Sequence, residues 1–231
     1  MKLEVTALVF LIGVVTVSLG CASAENPRAA YDMNTHGTNA ITRYLWPALA
    51  SMKKSGRVYY AASCQTTGSD FHLFSQLEMH PLVKTGTELA AIRSMFQTHD
   101  RVFAVEGPSG IVRITIGDVP TTLLSTKIGT LALKPLEQYN RTLAIAAIER
   151  TPEVRAAMGR LGVNPLPRVV NELMVEPQEG LPHLPSTLRD ITVDEALDAI
   201  VTSFGGIVYY GYCPKARLYD VVFGGGAYFR N

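Results

Sequence analysis

The segment STLRDITVDEALDAIVTSFGGIVYYGYC, residues 186–213, constrains the fold more than any other part of the chain. Thr192 stands three residues before Glu195, the spacing of a capping box, and Asp194 and Glu195 put negative charge at the positive end of a helix dipole. A helix therefore starts at Val193. Ala196, Leu197, Ile200, Val201 and Phe204 recur at three- and four-residue steps and form one apolar face. Gly205-Gly206 ends the helix, and IVYYGY reads as a strand. A one-faced helix followed at once by a β-rich strand is a helix-on-sheet unit.

The same order of helix, strand, strand occurs twice more. In TNAITRYLWPALASMKKSGRVYYAASC, Ile41, Tyr44, Leu45, Leu49 and Met52 supply the stripe and Gly56 ends it. Pro47 kinks this helix or marks its true start, and Arg57 to Ser63 reads as a strand, followed by FHLFSQLEMHP. In the second echo Thr85 or Thr87 caps a helix with Leu89, Ile92, Met95 and Phe96 on one face. RVFAVE and IVRITI are then strands joined by a Gly107-Pro108-Ser109-Gly110 turn. LYDVVF completes the C-terminal unit. Between the second and third units lie a strand through Ile128 to Leu133 and an Ala-rich helical region from Leu136 to Leu161. Thr151-Pro152 divides that region into two helices by N-cap and first-turn chemistry. Gly162 closes the second helix, ELMVE is a short strand, and QEGLPHLP is a loop. The expected fold is α+β, with repeated αββ units and a helical middle region. Its expected divisions are a signal peptide over 1–24, N-terminal units over 25–120, the middle region over 121–170 and a C-terminal βαββ domain over 171–231.

Lys2, the apolar run from Val5 to Leu19 and Ala22-Ser23-Ala24 have the layout of a secretory signal peptide, with cleavage before Glu25. A competing reading uses Leu19-Gly20-Cys21 as a lipoprotein box with Cys21 lipidated; Ser18, where such boxes carry an aliphatic residue, places it second. The apolar run is shorter than the roughly 20 residues a spanning helix needs, so no transmembrane segment is expected in the mature chain. Cleavage leaves Cys64 and Cys213, each ending a similar strand, VYYAASC and VYYGYC. In an oxidising compartment an even count points to a disulfide between them; two separately buried thiols are the alternative. A formal net charge of +1 gives no basic face, which argues against nucleic-acid binding.

Catalytic chemistry has little to stand on in these residues. No G-x-S-x-G elbow is present, and Ser109 in EGPSGI is explained by turn chemistry. Neither GDVPTT nor FGGGAY has the Lys-Ser/Thr of a P-loop. His72, Glu78 and His80 would share one face of a continuous strand and offer zinc-type donors, but the outer histidines are too far apart to share an ion without a bend. His99 and His183 fall at a helix end and in a loop. Asp194, Glu195 and Asp198 read as capping and solvated helix face. In each VYY pair, Tyr59-Tyr60 and Tyr209-Tyr210, one tyrosine should pack and the other reach the far surface of the sheet.

Leu188, Asp190, Thr192, Val193, Ala196, Leu197, Ala199, Ile200, Phe204, Gly206 and the following VYYGY carry a resemblance to the short N-terminal domain of secretins and TonB-dependent receptors. The likeness covers roughly residues 184–223, with a looser echo at 76–117, and the chain as a whole looks like a bacterial secreted protein. No channel-forming β region follows in this sequence, so pore formation is not carried over. The resemblance implies a periplasmic or extracellular α/β module that makes protein contacts. The expected function is thus a secreted or periplasmic binding protein without evident catalysis or cofactor, whose partner is a protein or cell-envelope component. The alternatives are a secreted metal-dependent hydrolase using His72, Glu78 and His80, and a lipid-anchored structural envelope protein. The last strand in sequence is the expected edge for partner capture, through Leu218, Tyr219, Val221 and Phe223.

Overall fold

The computed structural model describes residues 40–61, 77–84, 86–165, 177, 180–213 and 215–224. A π-helical turn, Ile41–Leu45, leads into α1 (Trp46–Ser51). The turn is five-residue because Trp46 N–H reaches back to Ile41 O, and Pro47 falls in the first turn of α1, where its missing N–H goes unneeded. β1 (Ser55–Ala61) follows. Thr87, whose hydroxyl accepts from Ala90 N–H at 3.2 Å, caps α2 (Glu88–Ser94). β2 (Val102–Glu106) and β3 (Ile111–Ile116) form a hairpin, turned at Pro108–Gly110 with Ser109 in the left-handed region at φ 59°. After β4 (Lys127–Ala132) come α3 (Pro135–Tyr139), α4 (Arg141–Arg150) and α5 (Pro152–Leu161). Three helices stand where the sequence suggested two. Asn140 adopts an extended backbone and its side chain accepts from Leu143 N–H at 2.9 Å, which caps a new helix. β5 (Asn164–Pro165), β6 (Thr187–Thr192), α6 (Val193–Phe204), β7 (Ile207–Cys213) and β8 (Leu218–Gly224) complete an α+β fold.

The main sheet has six strands in the order β2-β3-β1-β7-β8-β5, and β4 pairs antiparallel with β6 in a separate two-stranded sheet. β1 is parallel to both of its neighbours, while β2 and β8 turn back antiparallel beside β3 and β7. The expected divisions at 25–120, 121–170 and 171–231 do not mark separate bodies. β1, β3, β5, β7 and β8 come from all three stretches yet share one sheet, and the described residues fall in one compact unit. The expected βαββ domain is also split, because β6 pairs with β4 and leaves β7 and β8 to the larger sheet. Nothing in a strand's own residues encodes which distant strand it meets.

Strand alternation gives the main sheet two apolar faces. Val58, Tyr60, Val112, Ile114, Ile207 and Tyr209 pack with α1, α2, Leu77 and Met79 on one side. Tyr59, Ile111, Val208, Tyr210, Tyr219 and Val221 pack on the other with α4, α5, α6 and the buried residues of β4. Each VYY pair thus splits between faces, but neither tyrosine of a pair reaches the surface as expected: both faces are covered by helices, and all four rings are buried. α6 buries Val193, Ala196, Leu197, Ile200, Val201 and Phe204, the stripe read from its sequence. Gly205 and Gly206 both take positive φ, and a Cβ at Gly206 would stand 2.7 Å from the Phe223 ring, so a larger residue fails there twice over.

The capping box forms in full: Thr192 N–H donates to Glu195 Oε2 at 2.7 Å and Glu195 N–H donates to Thr192 Oγ1 at 3.2 Å. The Thr192 backbone bond first, then its hydroxyl, hold the Glu195 carboxyl below the usual glutamate range. A carboxyl acidified on folding stabilises in full above its unfolded titration range and loses that contribution as pH falls through the lower folded value. Hydrogen-exchange protection in the first turn of α6 should therefore decline on acidification through the carboxylate range. Thr192→Ala should cost about 1 kcal/mol in urea unfolding and flatten that pH dependence.

Candidate functional site

The register of β1 on β3 sets Arg57 directly opposite Arg113. Equal parity turns both side chains to the face that α6 covers, and like charges placed side by side on adjacent strands repel. α6 meets this with Asp194 and Asp198, one helical turn apart and on one side of the helix. Arg57 Nη2 donates to Asp194 Oδ1 at 2.9 Å, and Arg57 Nη1 donates to Asp198 Oδ1 at 2.8 Å and to Asp194 O at 2.9 Å. Arg113 Nη2 forms a close ion pair with Asp198 Oδ2 and stands 3.6 Å from Asp194 Oδ2. Two positive and two negative groups make a locally neutral cluster.

Tyr59, two positions along β1, ties the cluster to the sheet. Its hydroxyl donates to Asp194 Oδ1 at 2.8 Å, and the Arg57 guanidinium carbon lies 5.0 Å from its ring centroid. Burial first, with the Asp194 charge beside it, holds the phenol neutral well above the usual tyrosine range, against the opposing pull of Arg57. Tyr59 is therefore a fixed donor and not a base. Arg57 is wholly buried, whereas the Arg113 and Asp194 side chains are 30% and 25% exposed. The cluster runs from the core to the surface.

It surfaces in a cavity of about 380 Å³. Tyr59, Arg113 and Thr115 lie across its sheet side, Val105 of β2 and the segment carrying Val119, Thr121, Leu124 and Ser125 line it further, and Thr192 and Asp194 bring in the start of α6. Next to it, Phe103 and Val105 are 59% and 54% exposed, so the sheet face at β2 is apolar and open to solvent. The edge of β2 is a different matter. Gly107 N–H donates to Ile111 O and Gly117 N–H to Arg101 O, so odd-numbered residues of β2 turn their backbone groups to β3 and even-numbered ones turn outward. Arg93 Nη2 donates to the outward Ala104 O at 2.9 Å, while ion pairs of Lys54 with Glu106 and Glu88 and of Arg101 with Asp118 flank the strand. A side-chain plug and flanking charges blunt that edge against strand addition. The face beside it stays open to solvent.

The residues singled out in the sequence are placed elsewhere. Leu218 and Tyr219 pair with Asn164 and Pro165, so β8 is not the outermost strand and β5 takes the start of its outer side. Tyr219 is buried, with its hydroxyl donating to Glu149 Oε1 at 3.1 Å, and Val221 is buried in the core. Arg141 lies 4.3 Å over the Phe223 ring. Tyr219 and Val221 are thus engaged within the fold, and β5 covers the outer side of β8 at Leu218 and Tyr219. Glu78 Oε1 is 3.6 Å from His80 Nε2, and Glu78 backbone N–H donates to His99 Nε2 at 3.0 Å. His72 and Cys64 lie outside the described residues, among which no group of three His, Cys, Asp or Glu is placed to hold a metal ion. Cys213 is buried at the end of β7, His183 stacks on Tyr139, and Ser109 is exposed in its turn.

Arg57, Arg113, Asp194 and Asp198 went unread as a group. The signal was there in part: an arginine in the middle of each of two β-rich strands, and two aspartates at i and i+4 on the helix that covers them. Comparison with protein-family models, curated proteins and solved structures found no match to the chain.

Removing Asp198 would strand a wholly buried guanidinium with half its anionic partners gone. Asp198→Ala should therefore lose about 3–5 kcal/mol in urea unfolding, the range for breaking a buried pair. Arg57→Met combined with Asp198→Leu should lose clearly less than the two single changes added together, since the double variant leaves no uncompensated charge at that contact. Spectrophotometric titration gives a second check. Burial raises the Tyr59, Tyr209 and Tyr210 phenols far above the usual range, so their tyrosinate absorbance should appear only with alkaline unfolding.

Proposed function

We propose that this protein is a secreted or periplasmic binding module that holds a protein or cell-envelope component against the open face of β2 and β3, with no chemical step of its own. The observation that carries the reading is the cavity beside Arg113 and Asp194, bordered by exposed Phe103 and Val105. A concave, largely apolar site with a few converging polar groups is the usual form of a ligand site. The fixed, neutral Tyr59 and the mutually paired charges suit recognition and offer no activated nucleophile. The resemblance of residues 184–223 to the short domain of secretins and TonB-dependent receptors supports an envelope partner. Among the described residues no helix is long and apolar enough to cross a membrane.

Affinity capture from the native cell envelope tests the reading. Phe103→Ser with Val105→Ser changes two exposed side chains and should leave circular dichroism unchanged while the captured partner is lost. Equal capture by the folded double variant would move the site away from this face.

Export is part of the proposal, and two features support it. Residues 1–24 carry the signal-peptide pattern, so intact mass of the exported protein should show a chain starting at Glu25; a diacylated species starting at Cys21 would replace that reading with the lipoprotein one. β1 and β7 are parallel neighbours with Ala61 opposite Tyr212. Cys213 ends β7, and Cys64, outside the described residues, follows Ala61 by three positions in sequence, which supports the proposed bridge. Non-reducing peptide mapping should recover a Cys64–Cys213 peptide, and its reduction should cost roughly 4 to 5 kcal/mol by loop entropy.

A further inference from the structure

We propose that the cavity recognises a carboxamide group carried on an apolar body, its carbonyl accepting from Arg113 and its N–H donating to Asp194. This rests on the binding reading above and names the chemistry that the site selects. Among the described residues Arg113 spends Nη2 on Asp198 and Asp194, and Nη1 has no protein partner. Asp194 Oδ1 accepts from both Arg57 and Tyr59, whereas Oδ2 has Arg113 Nη2 at 3.6 Å and no closer partner. Both residues line the cavity and both are partly exposed. The cavity therefore offers one spare donor group and one spare acceptor side by side.

Charge decides which ligand suits that pair. A carboxylate drawn to Arg113 would meet Asp194, and an ammonium drawn to Asp194 would meet Arg113. The cluster as a whole is neutral, so it gives no ion a net attraction to offset desolvation. A primary amide is itself neutral and carries its acceptor oxygen and a syn N–H donor on one carbonyl carbon, so it satisfies both groups at once. The apolar side of the ligand then lies against Val105, Val119 and Leu124, with the Tyr59 ring below.

The test uses the mature full chain and four probes that share one branched tail: 4-methylpentanamide, methyl 4-methylpentanoate, 4-methylpentanoate and 4-methylpentylamine. Titrations followed by amide chemical shifts should give the carboxamide roughly tenfold tighter binding than the ester, which lacks the N–H, and tighter binding than either ion. The shifts should centre on Thr115, Val119 and Ser125. Val119→Trp fills the cavity without touching the charge cluster and should abolish them. N-methyl-4-methylpentanamide, whose trans N–H points away from its carbonyl, should bind more weakly, which assigns a primary carboxamide from a side chain or small molecule; binding as tight as the primary amide would overturn the paired contact. An ester or an ion binding as tightly as the amide would overturn it, as would shifts that persist in folded Val119→Trp. The envelope capture keeps the two readings apart. Partner lost in Phe103→Ser/Val105→Ser, with no preference for the amide, sinks the ligand chemistry alone. Partner retained in that variant, while the amide preference holds and vanishes in Val119→Trp, sinks the face as partner site alone.

Discussion

Much of this structure depends on two arginines standing side by side. The parallel register that pairs β1 with β3 leaves Arg57 and Arg113 no choice of face, and only carboxylates delivered from above make the arrangement tolerable. Asp194 and Asp198 come from one helix, so the requirement fixes where α6 sits along the sheet and how it is turned about its axis. The apolar stripe of α6 would allow some sliding over β1 and β7; the charge pattern does not. Buried ion pairs contribute little net stability compared with apolar packing, and their better-attested role is to specify one arrangement among several. Here they specify the seat of a helix.

The same cluster explains why a cavity lies beside it. α6 is held over β1, and its first turn stops short of β2, so the face of Phe103, Val105 and Thr115 is left without the cover that the rest of that side receives from α4, α5 and α6. On the opposite side α2 packs over the hairpin and lends Arg93 to the outward carbonyl of Ala104. One strand thus has a protected edge and an unprotected face.

Local features were legible in the sequence because they are written in local chemistry. The capping box at Thr192 and Glu195, the stop at Gly205-Gly206, the cap at Thr87, the hairpin turn at Ser109 and the split of each VYY pair all follow from neighbours within a few positions. Pairing between distant strands was not legible. Arg57 and Arg113 looked like isolated polar positions, and Asp194 and Asp198 looked solvated, because each pair acquires meaning from the register of the other. For the same reason LYDVVF, last along the chain, was read as the sheet edge. In the folded sheet the two residues of β5 pair outside Leu218 and Tyr219, so the start of β8 is covered. The legible trace of the cluster is a central guanidinium in each of two strands otherwise rich in Val, Ile and Tyr.

β1 lies at the heart of the sheet, yet it is among the first elements along the chain and it pairs with one of the last, Gly56 meeting Ile207 and Ala61 meeting Tyr212. A contact of that sequence span is slow to close, since most of the chain must be gathered before it is rewarded. A polypeptide synthesised from its N-terminus presents β1 long before β7 arrives. For that interval a strand with five consecutive positions destined for complete burial, Gly56 to Tyr60, has one flank unclaimed and is vulnerable to pairing with the wrong chain. The arginine in its middle then acts a second time, as a charge that discourages such mispairing until Asp194 and Asp198 arrive to neutralise it.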